Sequence, residues 1–140
     1  MAVRFKWAAA ARRGGLTFLT LLAVTTPTRA ACNLTAQDGA FVAEGGVSLA
    51  WRTEPAAIAV GQPFVLTVKA CPAGAELLRV DASMPEHRHG MNYHPTLHPL
   101  GNGRWRVEGL LWHMSGRWEW RFDLRAGETV HSLRPSVTLR

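Results

Sequence analysis

Five of the six histidines in this chain of 140 residues (His87, His89, His94, His98 and His113) fall between positions 87 and 113. Three of its four methionines, Met84, Met91 and Met114, lie in or beside the same stretch. Neutral imidazole suits several divalent metals, and thioether ligands narrow the choice towards copper, above all Cu(I). The run Met84-Pro85-Glu86-His87-Arg88-His89-Gly90-Met91 packs two donors of each kind into eight residues. In an extended segment His87 and His89 point to one side, about 6.6 Å apart at Cα, close enough to share an ion. The second donor pair is His113-Met114, at the end of a strand-like run. Neighbours in a strand point to opposite faces, so both serve one ion if a bulge or the Ser115-Gly116 turn re-aims one of them. Thioethers need no deprotonation to ligate, whereas the share of binding carried by histidine weakens below about pH 6.5.

Each donor also has a purely structural reading. Met84 shares a face with Leu78 and Val80 on strand alternation, so core filling competes with ligation. His113 follows Trp105, Val107 and Leu111 on one face and reads equally as a core-rim histidine. His94 and His98 each precede a proline and would sit about 13 Å apart in extended chain, as exposed polar residues rather than a ligand pair. His131 stands alone in a strand and reads as structural or surface. The joint occurrence of two His/Met groups favours metal binding over any of these taken singly.

The elements that must carry these donors are strands. In Arg117-Trp118-Glu119-Trp120-Arg121-Phe122-Asp123-Leu124-Arg125, large apolar residues alternate with charged ones, predicting a half-buried strand with Trp118, Trp120, Phe122 and Leu124 inward. Pro63–Ala70 repeats the pattern with Phe64, Leu66 and Val68 inward. Val47–Trp51, Glu76–Met84, Trp105–Met114, Glu128–Leu133 and Ser136–Leu139 complete the set, with glycine- and proline-rich turns between them. About seven short strands at this spacing predict an all-β domain, an immunoglobulin-like or cupredoxin-like β-sandwich, over residues 47–140. Residues 31–46 read as an N-terminal arm. Residues 84–100 carry three prolines and a glycine, which forbid a central strand, so they read as a long functional connection.

Met84-Pro85-x-His87-x-His89-Gly90-Met91, then Gly101-x-Gly103 opening a strand, then Leu111-Trp112-His113-Met114-Ser115-Gly116-Arg117-Trp118-Glu119 together resemble the YtkA-like domain family. These are small exported or membrane-tethered β-sandwich proteins, related to FixH-type accessory proteins and often associated with copper handling. The resemblance spans roughly residues 47–140. It implies metal-facing roles for His87, His89, Met91, His113 and Met114, while His94 and His98 match no family position. Ser115 stands where the family's His-Met-Pro-Gly turn would place proline.

The first thirty residues read as a secretory signal peptide. Arg4, Lys6, Arg12 and Arg13 precede an uncharged run whose apolar heart is Leu16–Val24, and Thr28-Arg29-Ala30 offers small residues at a cleavage site before Ala31. The run is too short for a membrane-spanning helix. Arg12-Arg13 leaves a twin-arginine route open beside the general one. Lipid anchoring at Cys32 is disfavoured because Arg29 stands where a lipidation box needs an apolar residue. Five of the sixteen basic residues fall in this leader, so the rest of the chain carries eleven basic against ten acidic residues. A net +6 thus shrinks to near neutrality, which argues against a nucleic-acid footprint. In an oxidising periplasm Cys32 and Cys71 are expected to form a disulfide that pins the N-terminus of the mature chain to the end of a strand.

No nucleophile elbow or paired-carboxylate motif is visible, so an enzyme is not expected. A copper oxygenase with an N-terminal histidine does not fit a mature chain starting at Ala31, and a blue-copper carrier needs a cysteine thiolate near its histidines. The expectation is a monomeric periplasmic copper-binding protein, a chaperone, buffer or assembly factor that passes its metal ion to a membrane or periplasmic protein acceptor. The alternative is a non-metal envelope interaction module. His113→Ala and Met91→Leu are each expected to weaken binding while leaving the fold intact.

Overall fold

The structure, a computed structural model, describes residues 32–140. The expected signal peptide lies outside the described residues. A short 3₁₀ turn at Ala36–Asp38 leads into β1 (Ala40–Glu44), β2 (Val47–Glu54), β3 (Pro63–Cys71), β4 (Glu76–Met84), β5 (His89–Gly90), β6 (Thr96–Gly101), β7 (Arg104–Leu111), β8 (Gly116–Ala126), β9 (Thr129–Leu133) and β10 (Ser136–Leu139). All the pairings are antiparallel. One sheet runs β1-β2-β3-β7-β6 and the other β10-β8-β4-β5, with β9 lying along the C-terminal half of β8. The sheets face each other across one core. The fold is the expected all-β sandwich.

Alternation sets the core as the sequence predicts. Trp118, Trp120, Phe122 and Leu124 of β8 face Phe64, Leu66 and Val68 of β3, and all seven are buried. Trp112 stacks on Trp118 with ring centres 4.8 Å apart, and Phe64 meets Trp112 edge-on at 5.5 Å. Aromatic pairs at these separations add to the stabilisation that burial itself gives.

The strand count exceeds seven because three weakly patterned segments also pair. The expected arm supplies β1, which covers the edge of β2. The expected connection at 84–100 supplies β5 and β6, and Pro99 is tolerated because β6 is an edge strand. Two expected core positions move for one physical reason, the β-bulge. In β4 the register shifts between Leu77 and Arg79, so Leu77 is buried and Leu78 lies half out, no longer on the face of Val80 and Met84. In β7 the three steps from Val107 to Leu110 span what Phe64 to Leu66 span in two steps on β3, and Leu110 is buried in place of Leu111.

Cys32 and Cys71 form the expected disulfide, their Cα atoms 5.5 Å apart, and Cys71 is the last residue of β3. Closing a loop over a sequence separation of 39 stabilises by about 3–4 kcal/mol in the chain-entropy model. Lys69 ties down the same segment, donating to the Asn33 carbonyl at 2.8 Å and pairing with Asp38 at 3.2 Å. The Thr35 backbone N–H holds the Asp38 carboxyl below its usual range against the opposing effect of burial, with Lys69 assisting. Among the described residues no helix is long and apolar enough to cross a membrane.

Candidate metal centre

The first donor block lies on a hairpin. β4 ends at Met84, residues 85–88 form the turn, and β5 returns so that His89 pairs directly opposite Met84. The turn is closed by the His87 N–H donating to the Met84 carbonyl at 3.1 Å, and the chain beyond is held by Met91 N–H on the Ala82 carbonyl at 3.1 Å. Arg88, at φ 57°, takes the left-handed conformation the tight reversal requires. Directly opposed residues in an antiparallel pair share a face. Met84 points into the core and is fully buried, so His89 emerges beside it at the core rim, half-buried. Glu86 accepts from Arg117 Nε at 3.0 Å, tying the turn to the start of β8.

The second block is aimed by the bulge in β7. Unbroken alternation from Trp105 and Val107 would turn Leu111 and His113 inward. The extra residue, with Gly109 at φ +81°, shifts the phase by one. Leu110 and Trp112 therefore go into the core, and His113 is left half-buried at the rim. After it the chain turns through Met114 and Ser115 into β8. The Trp118 indole N–H donates to the Met114 carbonyl at 3.0 Å and its ring meets His113 edge-on at 5.7 Å. A Cβ on Gly116 would lie 2.8 Å from Met84 Cε, so the buried thioether ends directly beneath this turn.

The two blocks meet. The His89 ring centre lies 5.2 Å from that of His113 and 5.9 Å from that of His87. With metal–nitrogen bonds of about 2.0–2.1 Å, a ring centre sits about 3.2 Å from its ion, so two imidazoles on one tetrahedral ion have centres about 5.2 Å apart. The His89–His113 separation equals that value, with the two rings within 29° of parallel, while His87 stands further off at 5.9 Å and tilted by 48°. The rings are in series rather than around one point: among the described residues no group of three His, Cys, Asp or Glu side chains is arranged to hold a metal ion. A third donor would have to be a thioether. Met84 is buried beneath the turn, Met91 is half-buried against the core, and Met114 is 36% exposed on the turn itself.

The remaining histidines stand elsewhere. His98 pairs with Glu108 at 3.7 Å on the exposed edge, and His94 lines a groove with Arg79, Asp81 and Leu97. His131 lies on β9 with Nδ1 near Gly45. Two residues with no donor chemistry, Gly109 and Trp118, aim the side chains of the second block. Gly109 carries a usable signal, a lone glycine within a strand pattern. Trp118 is a core residue, as its alternation predicts, and nothing in its spacing announces the bond to Met114. A groove of about 630 Å³ lies at the other end of the sandwich beside the disulfide and is lined by Asn33, Lys69 and Gly103 among others. No family model matches the chain, and no curated protein or solved structure matches it.

Proposed function

We propose that the protein is an extracytoplasmic copper-binding protein that holds the ion as cargo, as a chaperone, buffer or assembly factor. The observation that carries this reading is the approach of the His89 ring, in the first donor block, to the His113 ring, in the second, with His87 beside it. Two imidazoles supply a borderline donor set that also suits zinc or nickel, and three thioethers at the same end of the sandwich favour Cu(I). The disulfide is compatible with an oxidising compartment, where the leader-like N-terminus would deliver the chain. The half-exposed rim suits a cargo site, because an acceptor protein in the membrane or periplasm can reach the ion without unfolding the sandwich. The sequence-level resemblance to YtkA-like domains points the same way. The alternative, a tryptophan-rich docking surface, has less behind it, since Trp112, Trp118 and Trp120 are buried.

The test is anaerobic titration of residues 31–140 with Cu(I) against a competing chelator, repeated with Cu(II) and Zn(II). Stoichiometric Cu(I) binding that raises the melting temperature is expected. His89→Ala should weaken it most, because that ring is the one shared by both contacts, with His113→Ala and Met91→Leu following. Absence of stoichiometric binding of any of the three ions would remove the metal function.

A further inference from the structure

Among the six tryptophans, Trp112 and Trp118 form a natural comparison. Both are fully buried, and their rings are stacked 4.8 Å apart and within 3° of parallel. Their polar ends differ. Trp118 Nε1–H donates to the Met114 carbonyl at 3.0 Å, while Trp112 Nε1 is buried with no hydrogen-bond partner. Trp118 also lies against His113, edge to face at 5.7 Å. A buried side chain, itself locked by stacking, therefore touches both residues of the second donor block, one through its backbone and one through its ring.

Resting on the copper-binding reading, we infer that Trp118 is the positioning residue of the site, fixing where His113 and Met114 stand relative to His89. The turn is anchored at its ends, where the Gly61 N–H donates to the Trp112 carbonyl at 2.8 Å and Gly116 pairs with Leu139 of β10, and Trp118 holds its middle. Met114 and Ser115 are exposed, and Gly116 at φ +123° contributes no side chain. A core residue has lost its rotational freedom already, so a donor carried on it holds the turn with no further loss of its own side-chain entropy. A ligand pair held in place before the ion arrives binds it more tightly than one that must be ordered on binding.

The experiment compares Trp118→Phe with Trp112→Phe. Both remove a buried indole from the same stack, and Trp118→Phe alone removes the bond to the turn. In the metal-free protein, contacts between the His89 and His113 rings, read as nuclear Overhauser effects, are expected to disappear in Trp118→Phe and persist in Trp112→Phe. In the Cu(I) titration Trp118→Phe should bind at least tenfold more weakly, and Trp112→Phe within threefold of the parent. Benzothienylalanine at position 118 keeps the bicycle and exchanges the N–H for sulfur. It should reproduce the loss even if the phenylalanine variant does not fold. Persistence of the ring contacts in that variant, or equal affinity losses in the two phenylalanine variants, overturns the inference. A parent protein that binds no copper yet loses the contacts on substitution at Trp118 overturns the functional reading and leaves the positioning role standing.

Discussion

Replacing Gly109 by alanine tests whether the β7 bulge aims His113. In an ordinary strand, Gly→Ala stabilises by about 0.4–1 kcal/mol, because the unfolded chain loses freedom. At φ +81° the sign reverses. The left-handed region costs an L-residue about 1–2 kcal/mol, and no steric cost is added, since the nearest atoms to a Cβ there are the His94 carbonyl oxygen and Pro95 Cα at 3.9 Å. The expected outcome is destabilisation of about 1–2 kcal/mol, a fall in melting temperature of roughly 4–10 °C for a domain of this size. Thermal and urea unfolding followed by tryptophan fluorescence measures it, with an unchanged urea m-value showing that the compactness of the end states is unaltered. A stabilised Gly109→Ala protein would refute the bulge, and with it the account of why Trp112 is inside and His113 at the rim.

Gly116→Ala should cost more than Gly109→Ala, because a positive φ is joined there by the 2.8 Å approach to Met84 Cε; shortening the neighbour in a Gly116→Ala/Met84→Ala protein should show coupling in a double-mutant cycle. Asp123→Asn should destabilise by about 1–3 kcal/mol at pH 7. Burial alone would raise the Asp123 carboxyl, but hydrogen bonds from Arg121 and Ser132 outweigh it and hold the group below its usual range. Its contribution is therefore complete above the unfolded-state value near 3.9 and is lost as pH falls through the lower folded value, so the gap between parent and variant should close on acidification below about pH 4, measured by urea midpoints. Removing the disulfide with Cys32→Ser/Cys71→Ser should cost about 2–4 kcal/mol in urea unfolding. Copper affinity should stay as it was, because the bond lies at the end of β3 remote from His113; a matching affinity loss would show that the two ends are linked.

What the sequence disclosed follows from which physical signals are local. The β8 strand was legible residue by residue, since a half-buried strand imposes a period of two and Trp118 to Leu124 keep it. The bulges were not equally legible. Leu77-Leu78 offers two apolar neighbours, either of which satisfies the pattern, so the extra residue leaves no trace in composition. Gly109 did leave one. β6 is hidden by Pro99 within it and Pro95 just before it, since proline excludes a strand from a sheet's centre and not from its edge. For β1, Ala40-Phe41-Val42-Ala43-Glu44 carries a weak pattern of its own, and pairing with β2 organises it. The residue types of the two candidate blocks, His87, His89 and Met91 and then His113 and Met114, are readable directly. The series of contacts through His89 is not, because it depends on a hairpin turn at 85–88 and on the phase of another strand in the other sheet.

The meeting of those blocks is a consequence of core packing. In the β4–β8 ladder Val80 opposes Phe122, Ala82 opposes Trp120, Asp81 opposes Arg121 and Ser83 opposes Glu119. A slip of one residue would turn one strand's apolar set to solvent and its charged set inward. Each large apolar side chain returned to water costs about 1.5–3 kcal/mol, so exposing Trp118, Trp120, Phe122 and Leu124 would consume most of a typical domain's stability of about 5–15 kcal/mol. The register is therefore fixed by residues with no donor chemistry. With it fixed, the end of β4 at Met84 must lie beside the start of β8 at Gly116, and the segments flanking those two points carry His87 and His89 on one side and His113 and Met114 on the other. The buried tryptophans and phenylalanine thus bring the imidazoles together, and the two bulges and the Trp118 bond adjust only where each one points.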